Sequence, residues 1–420
     1  LSTTPQTAIG RLRDNRGFTA ILASAAISST GDGIRLAALP LLAITITNDP
    51  VAVSGVAIAN RLPWLVVALL SGAIADRYRR RTIMVIADAA RAAIGLALVA
   101  AIVTDIDHLV VLYVAAVALG IGETLYSSAA QGFLPEVVAS QHLPAANGRL
   151  FTVSMVGSNF FGPMVGSWLF GLGRAIPFLL DAISFGVGLL LISSVTETTP
   201  STLDRNRTSL LQDVRAGIAW LLKHPLMRSF TVVVTVVNLT QGASQALLVL
   251  LAVTELGMST TTFGFIIAAG GVGGFLGGML AQRIGDWLSV PKVLLPGIAI
   301  TCPLFLVMAW THQPIVLGIA VAINAFAGVL ANVQMVSLRQ RLVPNNFLGR
   351  IGSVNQFLAF GIAIPLGALG GGFLAQVSGV RAVYTASAIV IFMLVIAVAK
   401  SMRPRAVADA IAKFETTASA

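Results

Sequence analysis

The sequence predicts an all-α membrane protein: twelve transmembrane helices in two pseudosymmetric six-helix bundles. Three observations carry this expectation. Hydrophobic residues make up 56% of the chain and charged residues only 10%, against about 25% charged in a soluble domain. Apolar runs of the ~20 residues needed to cross a bilayer follow one another along the whole chain. A charged turn, Gly72-Ala-Ile-Ala-Asp76-Arg77-Tyr78-Arg79-Arg80-Arg81, has a fainter copy at Gly278-Met-Leu-Ala-Gln282-Arg283-Ile-Gly285, half a chain later.

The spans are read at 18–45, 51–74, 82–104, 108–131, 149–171, 174–195, 229–252, 260–282, 291–311, 314–337, 350–376 and 379–400. The first run, Phe18 to Ile46, exceeds a signal-peptide core of about 7–15 residues and is read as a retained span. The third, eighth and eleventh are rich in Ala or Gly, residues that let membrane helices approach closely. The single cysteine, Cys302, lies in an apolar run, which excludes a disulfide framework or thiolate metal site within one chain.

Orientation follows from the basic residues. With the N-terminus inside, 22 of the 27 Lys and Arg fall on the inner side, and only Arg174 and Arg381 fall outside. Arg35, Arg61 and Arg91 fall within spans. Both termini are therefore expected on the cytoplasmic side of a cell (inner) membrane. The net charge of +10 is topogenic and faces anionic lipid. Because it is scattered over many short loops, nucleic acid is not an expected partner. Residues 1–195 form the first bundle, 196–228 a cytoplasmic linker, 229–400 the second bundle and 401–420 a cytoplasmic tail. Within the linker, Leu211, Val214, Ile218, Leu221 and Leu222 recur at helical spacing, as in an amphipathic helix lying on the membrane surface.

The halves echo each other at a nearly constant offset. Gly72 pairs with Gly278 and Arg77 with Arg283 at 206 residues, Asn147 with Asn355 at 208, and Gln131-Gly-Phe-Leu-Pro135 with Gln340-Arg-Leu-Val-Pro344 at 209. Paired six-span repeats around a mid-membrane site are the architecture of alternating-access carriers.

At this point the resemblance becomes specific. Gly72-x-Ile-x-Asp76-Arg77-x-x-Arg80-Arg81 resembles the inner-loop signature of the major facilitator superfamily, and Gly162-Pro163-x-x-Gly166 is similar to its antiporter motif. Leu134-Pro135-Glu136-Val137-Val138, Leu143, Ala146-Asn147 and Asp181-Ala-Ile-Ser-Phe185 resemble the drug:proton antiporter branch with the macrolide and enterobactin exporters. The chain departs from the pattern at Arg79, Ser158 and Ser167, each standing where the family has Gly, and Gln282 replaces Asp76 in the second copy. The resemblance implies the major facilitator fold, a transporter rather than an enzyme, no cofactor, and a working monomer. It also implies that Asp76 faces the inner start of the eleventh span, near Arg350. A carboxylate there meets the positive end of a helix dipole and latches the halves on the inside.

Charges at membrane depth cost about 2.5–3.5 kcal/mol each on insertion scales, so they need a reason. Asp32 and Arg35 sit mid-span in the first helix, Arg61 in the second and Glu123 in the fourth, with Asp181 about two turns into the sixth. Asp32 and Glu123 are expected to exchange protons, with Arg35 or Arg61 as partner: burial favours the neutral acid and a neighbouring Arg favours the carboxylate. Asp88 and Arg91 are read as a static pair buttressing the inner loop. Gly162-Pro163 is expected to bend the fifth span. The second half carries amides instead of charges, and Asn238, Gln241, Gln245, Asn324, Asn332 and Gln356 join Trp64 and Tyr126 as substrate-cavity candidates. The four histidines lie far apart, so no metal site is expected, and no phosphate-binding loop supports direct drive by ATP. The expected activity is proton-coupled export of small amphipathic or lipophilic compounds. The alternatives are a dedicated exporter of one metabolite such as a siderophore, an uptake symporter, or a non-transporting receptor or scaffold.

Overall fold

The computed structural model describes residues 12, 15–195, 219, 221, 224–288, 290–343, 351–352, 354–355, 357–399 and 402, with backbone alone at 66, 68–77, 225, 290–291 and 341–342. Among the described residues every regular element is helical. In chain order these are α1 (Arg16–Ile46), α2 (Pro50–Arg77), α3 (Arg80–Val103), α4 (Leu109–Val137), α5 (Leu143–Val156), α6 (Gly162–Leu172) and α7 (Ile176–Ser193). They continue with α8 (Pro225–Val249), α9 (Thr260–Leu288), α10 (Val290–Ala299), α11 (Thr301–Trp310), α12 (Pro314–Leu342), α13 (Ile364–Ser378) and α14 (Val380–Val398). Nine of the described helical rods are long and apolar enough to cross a membrane. The twelve-span reading also needs α1, α2 and the α5–α6 rod, which fall outside that nine.

Local chemistry sets the helix ends. Asn15 caps α1 by accepting from the Phe18 N–H at 3.0 Å, while its amide nitrogen donates to the Val137 carbonyl at the end of α4 at 2.9 Å. Arg80 donates to the Gly132 carbonyl and to Glu136, each at 2.8 Å. Arg81 donates to the Ile192 carbonyl at 3.2 Å and to that of Ser193. Both arginines thereby tie the start of α3 to the ends of α4 and α7, and they gather one end of the first half beside the Tyr78–Arg79 turn, the loop face. At the other face Arg174 reaches Asp105 at 3.2 Å and Asp107 at 3.1 Å. Arg381, 207 residues later, does the same for the second half through Glu255 at 3.1 Å and the Ala309 carbonyl at 2.9 Å.

The fifth rod does not bend as a simple proline kink. A π-helical turn, Gly157–Phe161, joins α5 to α6 directly before Gly162-Pro163. Such turns release backbone groups that a proline cannot pair. The second half repeats the device: a π turn at Phe357–Ala363 precedes Ile364-Pro365 of α13. In both halves this rod packs backbone-close on the first helix of its own half. A Cβ at Gly162 would meet the Thr30 carbonyl at 2.6 Å and Gly33 Cα at 2.7 Å, and one at Gly371 would meet Ala243 Cβ at 2.8 Å.

The same rods form the seam between halves. The α5–α6 rod packs on α9, and α13 packs on α2. A Cβ at Gly264 would meet Ser167 Cβ at 2.6 Å, one at Gly171 would meet Thr260 Oγ1 at 3.1 Å, and one at Gly372 would meet Ser54 Oγ at 3.0 Å. No hydrogen bond or ion pair joins described residues of the two halves. One apolar core runs from the far-face ends of the first half (Leu42, Val53, Leu112, Phe178) into the second (Leu247, Leu251, Phe263). The loop-face ends of the first half keep a separate core around Phe18, Met84, Phe133 and Ile192. Among the described residues, a shared apolar core thus joins the halves on the side away from the loop, while the loop-face core of the first half includes no residue of the second.

Candidate functional site

Four helices of the first half bring six charges together. On α1 and α3 a spacing of three residues sets an acid and an arginine on one helical face: Asp32 with Arg35, and Asp88 with Arg91. Arg35 lies 2.8 Å from Asp32, 3.4 Å from Glu123 on α4 and 3.2 Å from Asp181 on α7. Arg91 pairs with Asp32, lies 3.4 Å from Asp88 and stacks over the Phe185 ring at 3.7 Å. That stacking suits a planar, weakly hydrated cation in an apolar setting.

Burial divides the cluster. The side chains of Asp88 and Asp181 are 0% and 2% exposed and those of Arg35 and Arg91 4% and 2%, whereas Asp32 and Glu123 keep 23% and 35%. Two acids are sealed in and two keep partial exposure. Small neighbours make the approach possible: Gly31 lies against Ser184 and Asp181, and Gly188 against Ser28 and Asp88. Tyr126 closes one flank, its hydroxyl 3.5 Å from Ser24 Oγ. Asp88 Oδ2, Asp181 Oδ1 and Arg91 Nε find no hydrogen-bond partner. Four carboxylates face two guanidiniums. A fully ionised cluster carries two uncompensated negative charges, and an uncompensated buried charge costs several kcal/mol.

The structure brings together some sequence candidates and not others. Asp32, Arg35 and Glu123 meet. Arg61 is exposed and stands outside the cluster, because depth along a span does not say which way a helix faces. Asp88 and Arg91 do not buttress the loop; they belong to the cluster through Asp32, and Arg80 and Arg81 hold the loop instead. Asp181, which the sequence reading left out of the proton-exchanging pair, is the third partner of Arg35. Ser28 and Phe185 were not singled out as site residues; Ser28 carries only a helical spacing from Asp32, and Phe185 a helical spacing from Asp181 within the motif that closes on it. The surroundings of Gly72 and the side chains of Asp76 and Arg77 lie outside the described residues, as do Gln356, Arg350, the amphipathic stretch of the linker apart from Ala219 and Leu221, and the tail beyond Met402.

Among the cavity candidates, Trp64 is partly buried and Gln245 exposed. Asn238 donates to the Val234 carbonyl of its own helix at 2.8 Å. Gln241 is partly buried, Asn324 is buried with its amide nitrogen unpaired, and Asn332 lines a cavity in the second half. The repeat makes the polarity difference exact in register: Asn238 and Gln241 stand 206 residues after Asp32 and Arg35, and Asn332 stands 209 after Glu123. Three charges of the first half, Asp32, Arg35 and Glu123, thus have a neutral amide at their counterparts. Among the described residues no group of His, Cys, Asp and Glu is arranged to hold a metal ion.

Comparison with known proteins agrees with this architecture. The family model described as "transmembrane secretion effector" matches residues 7–418. A relative in Bacillus subtilis (strain 168), the uncharacterized MFS-type transporter YfiS, is 27% identical over 401 residues, covering 91% of this chain and 92% of the relative. The multidrug efflux pump Tap of Mycolicibacterium fortuitum is 26% identical over 388 residues, covering 89% and 93%. A solved structure of the nucleoside transporter NupG superposes with a TM-score of 0.78 at 11% identity, over 92% of this chain and 99% of that one. At that identity the likeness concerns the fold alone.

Proposed function

The chain belongs to the transmembrane secretion effector family of major facilitator transporters, and on that premise we propose that it is a proton-coupled antiporter exporting small amphipathic or lipophilic compounds. It is a multi-pass membrane carrier of small molecules, not an enzyme. The proposed topology is twelve spans in two bundles in the cell (inner) membrane, both termini cytoplasmic, acting as a monomer. The observation that carries the coupling is the cluster of four acids and two arginines buried on α1, α3, α4 and α7. Protons are the compensating cations such a site takes. Asp32 and Glu123 keep partial exposure, so a proton or a substrate group reaches them first, and Arg35 passes the change on to Asp181. A cation that binds near Glu123 competes with Arg35 for it, which ties substrate release to proton uptake. The name of Tap supports a multidrug range, and its similarity covers nearly the whole chain.

The test is a flux screen in proteoliposomes with an imposed pH gradient. Protons should enter as substrate leaves, unrelated apolar compounds should compete, and Glu123→Gln should flatten the pH dependence of transport. Uptake with the gradient, or unchanged proton dependence in Glu123→Gln, overturns the reading. An inverted distribution of accessible Lys and Arg in spheroplast labelling overturns the topology.

A further inference from the structure

The second half holds a site of the opposite sign. Between the loop-face ends of α8 and α12 and the segment 351–360 lies a cavity of about 140 Å³. That is close to the ~150 Å³ of an engineered protein cavity that takes up benzene. Its walls include Phe230 and Met335, both buried. Its polar groups include the amides of Asn332 and Asn355 and the guanidinium of Arg339. Arg339 is partly buried, and its side chain makes no hydrogen bond or ion pair with any described residue. The arginines of the first-half cluster and those tying helix ends each hold carboxylates or carbonyls, whereas Arg339 lines a cavity with no such partner among the described residues. A guanidinium presents a planar fork of donors that fits carboxylate and phosphate oxygens, and two amides beside it add donors without adding negative charge.

We propose that this cavity binds the anionic head of a small amphiphile, a carboxylate or phosphate seated on Arg339 beside Asn332 and Asn355 with its apolar part against Phe230 and Met335. The acid-rich cluster of the first half repels such a group, so the two halves take opposite charges. Leu221, from the segment leading into α8, also lines the cavity. The occupant comes either from solution as a free organic anion or from the bilayer as an anionic lipid head, and the chemistry of recognition is the same.

The experiment is equilibrium binding to the full-length protein in nanodiscs, with no pH gradient, so that its outcome is independent of proton coupling. Sodium benzoate is titrated against sodium chloride at constant ionic strength, first in phosphatidylcholine discs and then with phosphatidylglycerol added, with bound phosphatidylglycerol counted by native mass spectrometry. Saturable binding of benzoate but not of neutral benzamide is expected, or retention of phosphatidylglycerol. Either should weaken about tenfold or more in Arg339→Gln, the loss of a charge-assisted hydrogen bond. Arg339→Lys should keep most of it, and Arg283→Gln, an exposed loop-face arginine, should leave it unchanged. Phosphatidylglycerol that displaces benzoate identifies the bilayer as the source, and benzoate binding indifferent to the lipid identifies a free anion. If native protein binds neither probe, or Arg339→Gln binds as native does, the proposal is wrong.

Discussion

Arg35 is within ion-pair reach of acids on three helices: its own, α4 and α7. Removing it leaves Asp181 buried without a cation, and breaking a buried pair costs about 3–5 kcal/mol. Arg35→Gln should therefore lower the thermal unfolding temperature sharply in detergent, and Asp181→Asn added to it should recover part of the loss. Arg174 offers the contrast. Its side chain is 41% exposed, with partners Asp105 and Asp107 at 84% and 11%, so Arg174→Gln should cost about 1 kcal/mol, well below Arg35→Gln, read in the same unfolding assay. The i,i+3 pairs on α1 and α3 were legible in the sequence because helical spacing alone puts them side by side. The union of those pairs was not. It depends on the facing of α7, which Gly31 and Gly188 set by close packing, and on the facing of α2, which turns Arg61 away from the cluster.

At the scale of the element, the fifth rod of each half combines a π turn, a proline and backbone-close packing on that half's first helix. The Cβ of Gly162→Ala would meet a carbonyl and a Cα, neither of which rotates aside. Overpacking of this kind costs about 1–3 kcal/mol, and the same change displaces the α1 segment that carries Asp32 and Arg35. Gly162→Ala should both destabilise the protein and slow transport in proteoliposomes. Gly371→Ala, on the equivalent rod, should destabilise it to a similar degree with the charge cluster undisturbed. The first of these rods could be read in the sequence from Gly162-Pro163. The second could not, because Ile364 stands before Pro365 and the likeness lies in backbone geometry. The loop arginines follow the same division. Their number sets the expected side of the membrane, but their partners on α4 and α7 follow from where helices end.

At the scale of the whole molecule, the described residues of the two halves share one apolar core at the far face, and the loop-face core of the first half stands apart from it. In a background with Cys302 replaced by Ser, the pair Gly171→Cys and Thr260→Cys should oxidise readily, since a Cβ at Gly171 lies 3.1 Å from Thr260 Oγ1. The cross-link should stop substrate flux, and a reductant should restore it. Undiminished flux in the oxidised protein would show that this contact never opens. The repeat and the division into halves were open to sequence reasoning because duplicated turns keep their offset. The closed side was not, since composition is the same whichever face the halves meet on.

The seam that closes the far face has a consequence for timing. It consists of glycine-thin van der Waals contact, with no hydrogen bond or ion pair between described residues of the two halves. Its strength is set by area and fit, so neither salt nor acidity loosens it directly. It is a gasket without a catch. The stimulus to open has to arise at the buried charges and travel as movement, and the route is short: α1 carries Asp32 and Arg35, α1 packs on the α5–α6 rod, and that rod is itself one lip of the seam. A change in protonation is thus one helix away from the closure it must release.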